Sequence, residues 1–229
     1  MSDVGARLAE IARRIAAACA RAGRDPASVK LVGASKQQPP ARLRAAYDAG
    51  LRCFGENRVQ EALAKAPALP DDVEWHLLGP LQSNKVRPAL ELFSFFHAVD
   101  RAKIARALDA EAALRGSVVR GLLEINVGGE ATKHGFDPAR LGAEAADLAA
   151  LSHLRIVGLM TLPPPRADLA ATRADFQRLV ALRDELAARP EWRGGLGELS
   201  MGMSDDFEIA VEEGATLVRI GTLLFGPRG

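Results

Sequence analysis

Lys30-Leu31-Val32-Gly33-Ala34-Ser35-Lys36, closed by the turn residues Gln37-Gln38-Pro39-Pro40, is the stretch that decides the fold. It is short and mostly apolar and lacks a polar alternate face, as strands buried on both sides of a parallel sheet do. Pro40 to Ala49 follows as a helix closed by Gly50. The same unit recurs along the chain. Arg52 to Gly55 leads into a helix over Asn57 to Ala66, Glu74 to Gly79 into one over Asn84 to Leu92, and Ser94 to Val99 into one over Arg101 to Leu114. Val118 to Val127, expected as the longest strand, precedes a helix from Pro138 to Leu151. Leu154 to Thr161 precedes Leu169 to Ala188, a helix with Phe176, Leu179, Leu182 and Leu186 along its buried stripe. Leu196 to Met201, a helix over Asp205 to Glu213, and Leu217 to Gly221 complete the series. Ahead of it all, Val4, Leu8, Ile11, Ile15, Ala18 and Ala22 mark an amphipathic helix stopped by Gly23 and Pro26. Eight strands alternating with helices predict an α/β fold. The expectation is a single (β/α)8 TIM barrel over residues 1–229 with an extra N-terminal helix, an open doubly wound sheet being the alternative.

The composition narrows the function. A formal net charge of +1 gives no concentrated basic field, so neither nucleic acid nor an anionic membrane is expected as a partner. No stretch approaches the roughly 20 apolar residues that span a bilayer, and the start Met1 to Gly5 does not read as a signal peptide. Cys19 and Cys53 stand in unrelated contexts and are expected as small buried hydrophobes in a reduced, cytoplasmic protein. His76, His97, His134 and His153 lack metal-ligand spacing. His153 is expected in a loop, and His134, with Lys133 beside it, at a pocket rim.

In a barrel of this kind the active site lies at the C-terminal strand ends. Those ends carry Lys36, Glu56-Asn57, His76 with Gly79, His97 to Asp100, Asn126, Met160-Thr161, Ser200-Met201-Gly202 and Arg219 to Thr222. An inward Lys36 among apolar neighbours would lose solvation, which disfavours the ammonium form and leaves an amine able to attack a carbonyl. A solvated lysine just past a strand is the plainer alternative. Ser200, Ser204 and the amides near Gly202, with Arg219, Gly221 and Thr222, sit where barrels of this type often hold phosphate. The plainer reading there is a Ser204 helix cap and turn glycines. A phosphate cradle facing an imine-forming amine describes a pyridoxal phosphate site. A non-covalent binder of a sugar phosphate or nucleotide would keep the cradle and leave Lys36 without a bond.

Phe54-Gly55-Glu56-Asn57-Arg58-Val59-Gln60-Glu61, Trp75-His76-Leu77-Leu78-Gly79-Pro80-Leu81-Gln82-Ser83-Asn84-Lys85, Gly158-Leu159-Met160, Leu199-Ser200-Met201-Gly202-Met203-Ser204-Asp205-Asp206 and Val218-Arg219-Ile220-Gly221-Thr222 resemble the YggS/PROSC family, the pyridoxal phosphate homeostasis proteins. The similarity runs from about Leu8 to Phe225. It implies a barrel like the N-terminal domain of alanine racemase, with pyridoxal 5'-phosphate held as an internal aldimine on Lys36. It also implies that Ser200, Gly202, Gly221 and Thr222 hold the phosphate, that Arg219 faces the pyridine nitrogen, and that Asn57, His76, Asn84 and Met160 complete the cofactor-binding set. The family is thought to buffer the cofactor or deliver it to pyridoxal phosphate-dependent apoenzymes without established turnover. A monomer is expected, and a racemase of low activity is the alternative. Ala98, where a serine is usual, and Gln37-Gln38 depart from the family pattern.

The resemblance also supplies a reason for binding without turnover. A guanidinium beside the ring nitrogen stays protonated and disfavours a second proton there, which weakens the ring as an electron sink. Alanine racemase overcomes this with a tyrosine base from a second domain of its partner subunit. This chain runs out at Gly229 soon after the eighth strand, so no such base is expected. Tyr47, the one tyrosine, is expected on the outer layer.

Overall fold

The computed structural model describes residues 3–128, 134–164, 168–192 and 195–226. Its strands are Lys30–Ala34 (β1), Cys53–Glu56 (β2), Glu74–Leu77 (β3), Phe95–Val99 (β4), Val119–Glu124 (β5), Leu154–Met160 (β6), Glu198–Ser200 (β7) and Leu217–Ile220 (β8). Each pairs in parallel with the next, and β8 returns to β1 through Lys30↔Leu217 to Gly33↔Ile220. That last pairing closes the barrel and rules out the open sheet.

The helices are Asp3–Arg21 (α1), Pro40–Asp48 (α2), Val59–Lys65 (α3), Val86–Ala89 (α4), Ala102–Leu114 (α5), Pro138–Ala149 (α6), Leu169–Ala187 (α7), Phe207–Glu212 (α8) and Thr222–Phe225 (α9). Local chemistry sets several of their starts. The Asp137 and Asp168 carboxylates accept from the amides of Ala139 and Ala170, and Pro138 takes the first position of α6, where no amide is needed. The extra helix α1 buries Val4, Ile11, Ile15, Ala18 and Cys19. It lies against α2, α8 and α9, across the seam where the barrel closes.

Two apolar layers follow from the strand period. One lies between strands and helices. The other fills the barrel and is built from Val32, Cys53, Leu78, Phe95, Ala98, Leu122, Met160 and Leu217. Cys19 and Cys53 are buried and free. Tyr47 sits on the outer layer, its hydroxyl donating to Asp72 at 2.6 Å. No helix among the described residues is long and apolar enough to cross a membrane.

Three expectations need correction. β5 ends at Glu124, so β6, with seven residues, is the longest strand. Past Glu124 the backbone turns to pair with Phe136, whose amide donates to the Glu124 carbonyl at 2.8 Å. The helix expected over Asn84 to Leu92 breaks into a 3-10 turn, Ser83–Lys85, and the single turn α4, which contains Pro88. Thr222 opens a ninth helix directly after β8.

Candidate ligand cavity

The C-terminal strand ends open onto a cavity of ≈ 590 Å³, a volume suited to one cofactor-sized molecule. Lys36, half-buried, lies on its wall two residues beyond the end of β1. The backbone on both sides of it is clamped. Lys65 Nζ donates to the Ser35 carbonyl at 2.9 Å, to Glu56 at 2.8 Å and to Glu61 at 2.6 Å. Ser35 Oγ donates to Glu56 at 2.7 Å, and the Gln37 amide donates to Glu61 at 2.5 Å. Gln37 holds φ +60°, a left-handed conformation that costs energy in a residue with a β-carbon, so the clamp offsets local strain. Burial pushes the Glu56 carboxyl above its usual range, against the pull of Lys65 and Ser35.

Arg219, on β8 beside β1, lines the same cavity, and its guanidinium donates to Ser200 Oγ at 2.5 Å and to the Thr161 carbonyl at 2.9 Å. Burial pushes its pKa down to about 10, against Asp206 and Glu124, and at neutral pH it remains a cation. Next to it, Gly221 passes close to β1; a β-carbon there would lie 3.1 Å from the Ala34 carbonyl oxygen. Ser204 Oγ accepts from the Leu223 amide at 3.2 Å, which draws the loop after β7 onto the first turn of α9. Ser204, Gly221 and Thr222 thus line one wall with hydroxyls and main chain, the chemistry that cradles an anion.

Five of the ten expected site residues line this cavity: Lys36, Asn57, Arg219, Gly221 and Thr222. His76, Met160 and Ser200 lie buried beneath it, inside the barrel. Gly202 is a turn glycine with φ +93°, backed by α8, where a β-carbon would meet Ala210 Cβ at 2.6 Å. Asn84 is exposed in the 3-10 turn, away from the cavity wall. His134 and Asn126 line the wall, whereas Lys133 lies outside the described residues. His153 precedes β6, its amide donating to Asp109 at 2.7 Å.

Gln38 and Glu124 line the cavity without having been expected there. Glu124 was discoverable: it follows inward Leu122 by two residues, so strand alternation aims it inward. Its Oε2 is buried without a hydrogen-bond partner, and burial, helped by Asp100, raises its pKa.

Below Arg219 the barrel holds a polar column. Ser200 Oγ is 2.8 Å from His97 Nδ1, and His97 Nε2 is 2.8 Å from His76 Nδ1. His76 stacks on Phe95 with ring centroids 4.5 Å apart. Its Nε2 is 3.0 Å from Glu74 Oε1, close in charge contact but off the hydrogen-bond axis. Cys53, Glu74 and His76 bring ligand-type atoms within 4.8 Å of one another, a grouping hidden from sequence spacing. Glu74 already pairs with Lys30 and Arg120, each at 2.8 Å, so this cluster offers a metal little net negative charge.

Burial holds both histidines below the usual histidine pKa; for His97, His76 and Arg219 add to the effect. Below about pH 6.5 the unfolded chain therefore binds protons that the folded barrel refuses, and stability falls as pH drops. The slope is at most about 1.4 kcal/mol per pH unit for each histidine. Glu56, Glu124 and Asp206, with raised pKa values, contribute with the opposite sign. The difference between wild type and His97→Phe isolates the histidine part. Urea midpoints between pH 7 and 5 should fall less steeply in the variant, and parallel slopes would refute a neutral His97.

These features define a barrel of the alanine racemase N-terminal class, and the family model described as "Alanine racemase, N-terminal domain" matches residues 7–229. Alanine racemase of Clostridium difficile in complex with cycloserine shares the fold, with a TM-score of 0.71 at 14% identity over 93% of this chain and 58% of that longer one. Within this class, the chain belongs to the pyridoxal phosphate homeostasis protein family, the YggS/PROSC proteins. It is 48% identical to the pyridoxal phosphate homeostasis protein of Pseudomonas aeruginosa, over 100% of this chain and 97% of that one. The Aquifex aeolicus protein of the same name is 47% identical over 97% of each chain. PipY of Synechococcus elongatus, solved with pyridoxal phosphate bound, superposes with a TM-score of 0.85 at 43% identity, over 98% of this chain and 100% of that one.

Proposed function

We propose that this chain binds pyridoxal 5'-phosphate in the cavity, as an imine on Lys36 formed with loss of water, and that it buffers the cofactor or delivers it to apoenzymes. The observation that carries the reading is one cavity whose lining brings together a primary amine, a cationic Arg219 and a hydroxyl and main-chain cradle. When bound, the cofactor supplies an aldehyde for amines and a conjugated ring that accepts electrons. The chain's own groups grip and orient it. Ser204, Gly221 and Thr222 are better placed for the phosphate than Ser200 and Gly202, because Ser200 Oγ is engaged by His97 and Arg219 and Gly202 is backed by Ala210. Arg219, a permanent donor at neutral pH, favours a ring nitrogen without a proton.

Binding, not turnover, is the reading this favours. Racemisation needs acid–base groups on both faces of the substrate carbon, and Tyr47 is on the outer layer, bonded to Asp72. We place the protein in the cytoplasm as a monomer, one barrel domain over residues 1–229.

The test is borohydride reduction of the protein loaded with pyridoxal phosphate, followed by peptide mass mapping. A reduced pyridoxyl group on Lys36, absent in Lys36→Ala, is the expected result. A label on another lysine, or cofactor bound with no reducible link, would overturn the assignment.

A further inference from the structure

The polar column under Arg219 has a direction fixed by the donor at its Arg219 end and matched by the charge contact with Glu74 at the other. An arginine guanidinium only donates, and an ionised carboxylate only accepts. Arg219 donates to Ser200 Oγ, which leaves the serine proton free to go to His97 Nδ1. A neutral His97 then carries its proton on Nε2 and donates to His76 Nδ1. His76 must carry its own on Nε2, the atom facing Glu74. Glu74 stays ionised, because His76, Lys30 and Arg120 surround it with donors and positive charge. Neutral rings are what full burial beside the Arg219 cation requires, and both histidines are 0% exposed.

We propose that Ser200, His97, His76 and Glu74 form a single polarised relay through the barrel interior that positions Arg219 toward the ligand cavity. The relay crosses three strands, β3, β4 and β7, before meeting β8. Its far end, at the first residue of β3, is half-buried among Lys30 and Arg120 on the opposite face of the barrel. Arg219 is held from two sides, by Ser200 at the head of the relay and by the Thr161 carbonyl. Removing a relay member lets the serine proton turn and the guanidinium swing, although no member touches the ligand. These are positioning residues. The proposal deepens the pyridoxal phosphate reading in its binding consequence only; the proton positions stand independently of any ligand.

The test has two arms. Nitrogen-15 NMR of histidine-labelled wild-type protein should show both His76 and His97 as neutral Nε2–H tautomers at neutral pH and still neutral where an ordinary histidine begins to charge. A Nδ1–H tautomer at either ring, or a charged ring at neutral pH, would overturn the relay. The second arm measures pyridoxal phosphate affinity by fluorescence quenching. His97→Phe, which keeps an aromatic ring against Phe95, should weaken binding on the order of tenfold. Glu74→Gln, at the other end of the barrel, should weaken it in the same direction by a smaller factor. Combined, the two should lose no more than His97→Phe alone, because one broken link already breaks the relay. Additive losses, or no loss, would mean that the column only fills the barrel. Wild-type protein that fails to bind the cofactor would sink the ligand reading and leave the NMR arm to decide the relay.

Discussion

Lys65→Met is expected to cost about 3–5 kcal/mol of folding stability, the usual result of removing one partner from a buried ion pair. The Lys65 side chain is 9% exposed and the Glu56 side chain 0% exposed. Three donated hydrogen bonds disappear together: to Glu56, to Glu61 and to the Ser35 carbonyl. Glu56 suffers most, since its Oε2 already lacks a hydrogen-bond partner and only Ser35 Oγ would remain on Oε1. Without Lys65 its carboxyl, raised by burial even in the wild type, would rise further, which widens the pH range over which it keeps its proton. The folded variant then binds more protons than its unfolded chain, so its stability falls as pH rises through that range, and the deficit against wild type shrinks in acid. Urea unfolding at pH 7.5 and pH 5 checks both the size and the sign. Arg44→Ala, which removes an exposed pair with Asp48, is the control and should cost within about 0.5 kcal/mol. The functional consequence is local. With the Ser35 carbonyl and Glu61 released, the left-handed Gln37 loses its anchor and the Lys36 amine its fixed place, so borohydride trapping on Lys36 should slow. A variant within about 1 kcal/mol of wild type, the scale of an exposed pair, would show that the clamp contributes little.

The barrel was legible because its signal is local: each strand and each helix is announced by residues within it, and eight repeats admit few arrangements. Lys36, Arg219, Gly221 and Thr222 were legible for the same reason, since topology alone puts strand ends around one opening. Strand limits were less so. Ile125 and Val127 have strong strand propensity, yet the chain leaves the sheet at Glu124 because its backbone finds Phe136 instead. That slip hid Glu124 from the cavity wall. The relay was out of reach in principle. His97 and Ser200 are 103 residues apart in sequence, and only the barrel's stagger decides which inward side chains of β4 and β7 come level. A histidine in an apolar strand says that something must satisfy it; it does not say what.

Gly158→Ala, a single methyl group, is expected to be more damaging than any surface change, by more than about 4 kcal/mol. Gly158 lies on β6 opposite Glu198 of β7. A β-carbon there would sit 1.8 Å from the Glu198 carbonyl oxygen and 2.8 Å from its α-carbon, all backbone atoms that no rotamer change can move aside. β7 must yield, and it is poorly placed to do so: it is three residues long and meets β8 in register only at Ser200↔Leu217. The displacement would strike the site directly. The Thr161 amide donates to the Ser200 carbonyl across this seam at 3.1 Å, while Arg219 reaches both the Thr161 carbonyl and Ser200 Oγ. Parting β6 from β7 therefore removes the two acceptors of the Arg219 guanidinium at once and leaves a buried cation without them. Thermal unfolding should show a large drop for Gly158→Ala, and any folded fraction should bind pyridoxal phosphate weakly. Gly197→Ala, one residue before β7 with open space around its β-carbon, should melt close to wild type. Equal melting of the two variants would mean that the seam can open without cost, and that Arg219 does not depend on it.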